Sequence, residues 1–269
     1  MEANWVHVAR KDFADAIRSK TLWALSIVMI GFALVGMYAP HAFDENPDVE
    51  AAVAFLNTPM LILVPILGLI VGYMAIVGER DTGSIKFLLG LPIVRWEVLV
   101  GKFVGRSFVL AVPILLGFAI AVPLVVVLYG DFPVWTYLMF VGLSVLTAIV
   151  FVAVAVGVSA SVSSRGKAMA SVIGVFVLFE YVWGLIPMAL YYLLNSELPG
   201  ADAPNWFEFV LQLSPGFAIM EFVDFVYTRE VSSDVPIYLQ EWFSGVIVAL
   251  WIFLPLAVGY ARFKRTSIS

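Results

Sequence analysis

Charged residues in this chain are confined to short intervals between long apolar runs. No Lys, Arg, Asp or Glu occurs between Lys20 and Asp44, or within residues 51–78, 107–130, 132–164 and 242–261. A further run, residues 168–194, contains one charged residue, Glu180. About 20 apolar helical residues cross the ~30 Å hydrocarbon layer of a bilayer. The pattern predicts an all-α membrane protein with six transmembrane helices, at about residues 21–39, 57–78, 103–129, 134–160, 168–194 and 242–261.

The composition leaves no room for a soluble domain. Of the 269 residues, 62% are hydrophobic and 13% are charged, whereas a soluble domain carries about 25% charged residues. No segment outside the predicted spans reaches the ~100 residues of an ordinary soluble domain. We therefore expect residues 1–269 to form one membrane domain. Cysteine is absent, which excludes disulfides and thiolate chemistry.

Basic residues are distributed asymmetrically about the predicted spans. Residues 1–20, 79–106, 161–167 and 262–269 hold 14 of the 15 Lys and Arg residues. The segments on the other side hold only Arg229, against 13 acidic residues. Loops that face the cytoplasm carry the excess of Lys and Arg. The asymmetry predicts a multi-pass protein of the cytoplasmic membrane with both termini in the cytoplasm.

Two segments outside the spans have apolar patterns of their own. In residues 1–20, Trp5, Ala9, Phe13 and Ile17 recur every four residues, which is typical of an interfacial amphipathic helix or of a cytoplasmic extension of the first span. Between the fifth and sixth spans, two short apolar stretches are broken at Pro215. We expect two short extracellular helices there.

The residues needed for catalysis by this chain alone are missing. Its two histidines, His7 and His41, lie outside the spans, and no His-Glu-x-x-His pair is present. Gly101-Lys102 and Gly166-Lys167 lack the upstream Gly and the following Ser or Thr of a phosphate-binding loop. The sequence therefore predicts no catalytic residue, no metal ligand and no bound cofactor. Nothing in the pattern indicates nucleic acid as a partner.

Glu180 is the one ionisable residue placed by sequence in the middle of a span. A charge at the bilayer centre costs at least about 2.5 kcal/mol, so such a residue faces protein or water and has a partner or a proton. With its neighbours Tyr181 and Trp183, Glu180 is a candidate for a translocation path. The alternative is a protonated carboxyl that bonds to a neighbouring helix.

The segment between the second and third spans has the strongest local pattern. Ile85, Leu88 and Leu89 form an apolar stripe at helical spacing, and Pro92 is expected to stop that helix because the residue before proline disfavours helical geometry. The result is a short helix with an apolar face and a charged rim, suited to docking in a groove of a partner protein.

This segment also carries a family pattern. Its start is Glu79-Arg80-x-x-Gly83, its centre is Leu88-Leu89 followed by Gly90-Leu91-Pro92, and its end contains Arg95 and Gly101-Lys102. The chain resembles the membrane subunits of ABC-2-type transporters, in which such elements join spans 2 and 3. It is most similar to the branch of stand-alone permeases that includes the membrane partner in nitrous-oxide-reductase maturation.

The resemblance implies a function and partners. Residues 79–102 would form a coupling helix against a separate ATP-binding subunit, which would bind ATP and Mg. The residues implied in coupling are Glu79, Arg80, Gly83, Leu88, Leu89, Pro92 and Arg95. The permease would form a homodimer in membrane lipid and export or extract a substrate. Two other hypotheses stay open: a proton-coupled secondary transporter that uses Glu180, and a membrane scaffold or intramembrane enzyme.

Overall fold

The computed structural model describes residues 4–43, 48–84, 93–130, 132–200, 203–228 and 235–265, and every regular element in these ranges is helical. The helices are α1 (Asn4–Arg18), α2 (Thr21–Phe43), α3 (Val49–Gly72), α4 (Val77–Asp81), α5 (Arg95–Tyr129), α6 (Val134–Ser161), α7 (Arg165–Val177), α8 (Leu185–Asn195), α9 (Asn205–Gln212), α10 (Pro215–Thr228) and α11 (Glu241–Arg265). A π-helical turn, Leu178–Val182, lies between α7 and α8, and a 3₁₀ turn, Ile237–Leu239, precedes α11.

Five stretches are long and apolar enough to cross a bilayer: Thr21–Phe43, Val49–Asp81, Arg95–Tyr129, Val134–Ser161 and Glu241–Arg265. Two bent pairs pass the same test, Arg165–Val182 with Leu185–Asn195 at 46° and Asn205–Gln212 with Pro215–Val226 at 102°. The described residues therefore contain five to seven membrane-crossing units. The predicted class, an all-α membrane protein, is confirmed, and the count of six stays a prediction.

Several helix ends differ from the predicted span limits. α3 begins at Val49 rather than near residue 57, because Asp48 caps it by accepting a hydrogen bond from Ala51 N at 2.6 Å. α2 continues through Pro40 to Phe43. The predicted fifth span is interrupted by the π-helical turn around Glu180. The predicted coupling helix falls mainly on residues 85–92, which lie outside the described residues.

α5 and α6 form the centre of the bundle. α5 packs against α1, α2 and α6, while α6 packs against α3 and α11. Two glycines of α3 lie at its contact with α6: a Cβ built on Gly72 would lie 2.6 Å from Ala155 Cβ, and one on Gly68 would lie 3.0 Å from Phe151 Cβ. These two glycines let the backbones of α3 and α6 approach closely.

Large apolar side chains cover the outside of the bundle. Ile27 of α2, Val127 of α5 and Phe253 of α11 are among the exposed ones. An apolar surface of this kind is stable only where the surrounding solvent is also apolar, as lipid tails are. The exposed faces therefore agree with the assignment as an integral membrane protein.

The break between α3 and α4 is stabilised from α6. The fully buried hydroxyl oxygen of Ser159 accepts hydrogen bonds from Ile76 N and Val77 N, each at 3.0 Å. These N–H groups have no intrahelical acceptor of their own, since α4 begins at Val77. One side chain therefore satisfies two buried donors.

Ser159→Ala should weaken the fold. Each buried donor left without an acceptor costs about 1–3 kcal/mol, so we expect the free energy of unfolding to fall by about 2 kcal/mol or more. Unfolding of the purified protein in detergent, followed by tryptophan fluorescence, measures the change. Ser163→Ala, at an exposed position, is the matched control and should change stability by less than about 0.5 kcal/mol. Equal stability of the two variants would contradict the role of Ser159.

Candidate functional site

Four charged side chains form a compact network where α1, α4 and α5 meet. Lys102 Nζ lies 2.7 Å from Asp12 Oδ1 and 2.5 Å from Glu79 Oε1, and Arg106 Nε lies 2.8 Å from Asp12 Oδ2. The Asp12 side chain is 2% exposed and that of Lys102 is 8% exposed. Two carboxylates and two cations balance, so the network carries no net charge into the protein.

Two glycines bring α1 close enough to α5 for these contacts. A Cβ built on Gly101 would lie 2.6 Å from Val8 Cβ, and one on Gly105 would lie 2.9 Å from Asp12 Cβ. Any side chain at either position would separate the helices. The Gly101-Lys102 pair is therefore explained locally, because the glycine makes room for α1 and the lysine binds its aspartate.

Arg80 binds the end of α6. Its Nη1 donates to Val162 O at 2.8 Å and its Nη2 donates to Ala160 O at 3.1 Å. The last carbonyls of a helix have no intrahelical donor, and positive charge is favourable at that end. The guanidinium carbon also lies 5.1 Å from the ring centre of the fully buried Phe263. Arg80 therefore fastens α4 to α6.

Arg95 makes the corresponding contact with the end of α11. Its Nη1 donates to Phe263 O at 2.5 Å and to Lys264 O at 2.8 Å, and its guanidinium carbon lies 5.4 Å from the Phe263 ring centre. One aromatic ring is thus shared by the arginines that precede and follow residues 85–92. We call Arg80, Arg95 and Phe263 the arginine clamp.

The structure describes only some of the residues that are predicted to couple the chain to a partner. Arg80 and Arg95 meet at Phe263, and Glu79 binds Lys102. Gly83 has a φ of +73°, a left-handed conformation that favours glycine and turns the chain after α4. Leu88, Leu89 and Pro92 lie outside the described residues.

Sequence reasoning did not identify Asp12 or Phe263. The apolar spacing of α1 placed Trp5, Ala9, Phe13 and Ile17 on one face. Of these four Ala9 is buried, and the other buried residues of α1 are Val8, Asp12 and Ala16. The spacing of Val8, Asp12 and Ala16 is also helical, and the aspartate in that stripe was the available signal for a buried ion pair. For Phe263 nothing in the local sequence distinguishes it from its neighbours.

A second polar group lies at the break in the fifth apolar run. Glu180 is half-buried in the π-helical turn, and its Oε1 is buried without a hydrogen-bond partner. A Cβ built on Gly216 would lie 3.6 Å from that oxygen. Gly216 is the second residue of α10, so the carboxyl group faces the N-terminal end of a 14-residue helix. Such an end carries partial positive charge and favours an anion.

Trp183 and Trp251 hold the bend between α9 and α10. Together with Phe179, which packs against both, we call them the aromatic hinge. Trp183 Nε1 donates to Val210 O at 2.7 Å, and Trp251 Nε1 donates to Leu213 O at 2.9 Å. The Phe179 ring lies between these indoles, with centroids 4.9 Å from Trp183 and 4.6 Å from Trp251. Of the three predicted path residues, Glu180 and Trp183 therefore contact this region, while the side chain of Tyr181 is exposed.

No three His, Asp or Glu side chains within the described ranges are placed to hold a metal ion. The side chains of the ion-pair network and of the arginine clamp bind one another and the ends of α6 and α11, an arrangement that fastens helices together. Both groups include residues that flank 85–92 in the sequence, which makes this end of the bundle the candidate functional site.

Lys102→Met should destabilise the protein strongly. It leaves Asp12 and Glu79 without their shared cation, and removal of one partner from a buried ion pair costs about 3–5 kcal/mol. Thermal unfolding in detergent measures the loss. The matched control is Asp81→Asn, which breaks the Asp81–Arg165 pair, 38% and 46% exposed, and should cost less than about 1 kcal/mol. A Lys102→Met variant as stable as the control would show that the network contributes little.

Known proteins are similar to this chain along nearly its whole length. A family model, the ABC-2 family transporter protein, matches residues 6–268. The chain is 30% identical to the probable ABC transporter permease protein NosY of Stutzerimonas stutzeri, over 96% of this chain and 97% of that protein. It is 28% identical to NosY of Pseudomonas aeruginosa, over 97% and 98% of the two chains.

A more distant relative is the probable ABC transporter permease YtrD of Bacillus subtilis, 22% identical over 80% of this chain and 62% of that protein. The residues that the family model matches include all of the membrane-crossing helices, the ion-pair network and the arginine clamp. The chain therefore belongs to the ABC-2 family of transporter proteins, as a membrane permease component.

Proposed function

We propose that this chain is the permease subunit of an ATP-driven transporter whose ATP-binding subunit is a separate protein. The observation that carries the proposal is the arginine clamp: Arg80 and Arg95, which precede and follow residues 85–92 in the sequence, are fastened to the ends of α6 and α11. A force applied to that segment would reach two long membrane helices through the two hydrogen bonds that each arginine donates. The Leu88-Leu89 stripe is the proposed docking surface for the ATP-binding subunit.

The proposed topology places the clamp in the cytoplasm, with both termini. It counts the pair bent by 46° as one span and the pair bent by 102° as a re-entrant element, which gives six spans. The clustering of 14 of the 15 basic residues on the clamp side supports this orientation. α1, with Arg10, Lys11 and Arg18 exposed, is proposed to lie at the cytoplasmic surface of the membrane.

A homodimer of permeases with two ATP-binding subunits is the proposed assembly. This stoichiometry and the proposed export or extraction of the substrate follow from the family resemblance. ATP and Mg would be bound by the partner, because this chain has no phosphate-binding loop. Glu180 and Trp183 are proposed to line the path with Tyr181, since they lie beside the hinge of the re-entrant pair.

A proton-coupled secondary transporter is the alternative. It is favoured by one observation, the buried Glu180 oxygen without a hydrogen-bond partner, which is a suitable place for a proton. Vesicles that contain this chain alone distinguish the two functions. An ATP-driven permease should take up no protons when a membrane potential is imposed, whereas proton uptake that Glu180→Gln abolishes would favour the alternative.

The Leu88→Asp/Leu89→Asp double variant should separate the permease from its ATPase. Two charges in the apolar stripe oppose docking, so we expect the co-purified ATP-binding subunit and its vanadate-sensitive hydrolysis to fall by about tenfold or more. Purification of the native complex followed by an ATPase assay measures both. Phe43→Asp/Leu198→Asp is the matched control, because it adds two charges at exposed positions far from the clamp. Full hydrolysis by the Leu88→Asp/Leu89→Asp complex would contradict the proposal.

The natural absence of cysteine permits a direct test of the path. Glu180→Cys introduces the only thiol in the chain, so a water-soluble maleimide reports its accessibility. We expect the labelling rate of the complex to differ severalfold between the nucleotide-free state and the state trapped with ATP and vanadate. The cysteine-free protein is the blank. Identical labelling rates in both states would remove Glu180 from the path.

A further inference from the structure

A shallow groove of about 660 Å³ runs between α2 and α3 on the outside of the bundle, and every side chain that lines it is apolar. The two helices are consecutive and antiparallel. Ile27 and Ile66 therefore lie at the end nearer the arginine clamp, and Val35 and Pro59 lie at the other end. From Ile27 to Val35 the groove extends about 12 Å along α2. One leaflet contributes about 15 Å to the hydrocarbon layer, so the groove lies within a single leaflet.

Gly31 leaves the floor of this groove open. A Cβ built on Gly31 would have no other atom within 4 Å, whereas one on Gly36 would overlap the side chain of Leu56. Gly31 lies inside α2 and its φ is not positive, so the backbone does not require glycine there. Glycine is also a poor helix former. Contacts within the chain thus explain Gly36 but not Gly31, whose missing side chain makes room for something outside the chain.

The groove points towards two cations at its clamp end. Ala24 N donates to Lys20 O at 3.0 Å, which extends the helical register of α2 back to Lys20. At about 100° per residue, Lys20, Ala24 and Gly31 share one face of α2. Arg18 and Lys20 are exposed, and neither forms an ion pair with another residue in the described ranges. Trp23, 60% exposed, marks the level of the membrane interface, where indole rings are enriched.

Few acidic groups are available to neutralise these cations. Residues 16–43 contain no Asp or Glu. At the same end of the bundle, Glu79 pairs with Lys102 and Asp81 pairs with Arg165. Asp15 is exposed about one turn before the end of α1. The first turn of α2 has no acidic residue, and the start of a helix favours negative charge. The clamp end of the groove is therefore positive at the depth where lipid phosphates lie.

We propose that this groove binds an anionic phospholipid, with one acyl chain between α2 and α3 and the headgroup at Arg18 and Lys20. The apolar lining matches the chain, and the cations match the charged headgroup at the adjacent interface. A second copy of this protein matches less well. Two copies packed on this face about an axis along the membrane normal would bring their Arg18 and Lys20 side chains together at one depth, where like charges repel.

Native mass spectrometry of the purified, delipidated full chain tests the proposal, because one spectrum counts both bound lipids and copies of the chain. The probes are dioleoylphosphatidylglycerol, which is anionic, and dioleoylphosphatidylcholine, which has no net charge. We expect one phosphatidylglycerol to be retained per chain. It should bind about tenfold more tightly than phosphatidylcholine, since each Lys or Arg near the membrane surface adds affinity for anionic lipid.

Gly31→Leu tests the groove. The added side chain enters open space, so the variant should fold with an unchanged or higher Tm, while it occupies the position of the acyl chain. We expect it to bind phosphatidylglycerol about tenfold more weakly. Gly174→Leu is the matched control: a Cβ on Gly174, about as far along α7 as Gly31 is along α2, also meets no atom within 4 Å. This control should bind as the unmodified protein does.

Arg18→Gln/Lys20→Gln tests the headgroup contacts. This double variant should bind the two lipids equally. Arg10→Gln/Lys11→Gln removes the same charge from exposed positions further back on α1, and it should keep the preference for phosphatidylglycerol. Equal loss of the preference in both double variants would show a general attraction of the surface and would overturn the site.

Three further results would overturn the proposal. The unmodified chain could bind both lipids equally, which would indicate annular lipid only. Gly31→Leu could bind phosphatidylglycerol as tightly as Gly174→Leu does. Gly31→Leu could instead convert dimers to monomers without a change in lipid binding, which would assign the groove to a second copy of the chain. Neither nucleotide nor ATPase is present in this experiment, so its outcome is separate from that of the proposed transport function.

Discussion

A helix that ends or breaks within a packed bundle leaves backbone groups without an intrahelical partner, and the structure of this protein depends on how side chains satisfy them. Ser159 accepts both amide hydrogens at the start of α4, and Arg80 donates to the terminal carbonyls of α6. Arg95 does the same for α11. All three solutions lie at one end of the bundle. That end is therefore both the place where helices stop and the place where they are joined.

The two ends of the bundle are held by different kinds of contact. At the clamp end, ion pairs and the hydrogen bonds of two arginines join five helices, and the buried charges of Asp12 and Lys102 make partial separation costly. At the aromatic hinge, two indole N–H groups and packed rings hold a bend of 102°. The clamp therefore joins several helices through charged groups, whereas the hinge holds one bend through neutral ones. Glu180 lies beside that bend.

Much of the fold was predictable because lipid imposes a simple rule on sequence: each crossing needs a long apolar run. That rule gave the helical class and the approximate positions of the long helices, and the family pattern gave the membership that the comparisons confirm. The partners that single polar groups find in the folded protein were not predictable in the same way. The Asp48 cap lengthened α3, the π-helical turn broke the fifth run, and Asp12 was buried by a partner 90 residues away. The coupling segment itself, residues 85–92, stays a prediction.

The position of Phe263 fixes the length of α11. The ring of Phe263 packs against the guanidinium groups of Arg80 and Arg95, and its carbonyl oxygen accepts a hydrogen bond from Arg95. These contacts together specify how the end of α11 is rotated about the helix axis and where it lies along that axis. An inserted or deleted residue anywhere along α11 would turn Phe263 by about 100° and shift it by about 1.5 Å. Such indels should therefore be selected against in α11, even in its lipid-facing middle, whereas substitutions of one apolar residue for another there are tolerated. The contacts of this aromatic ring therefore set the position and rotation of α11 as a whole.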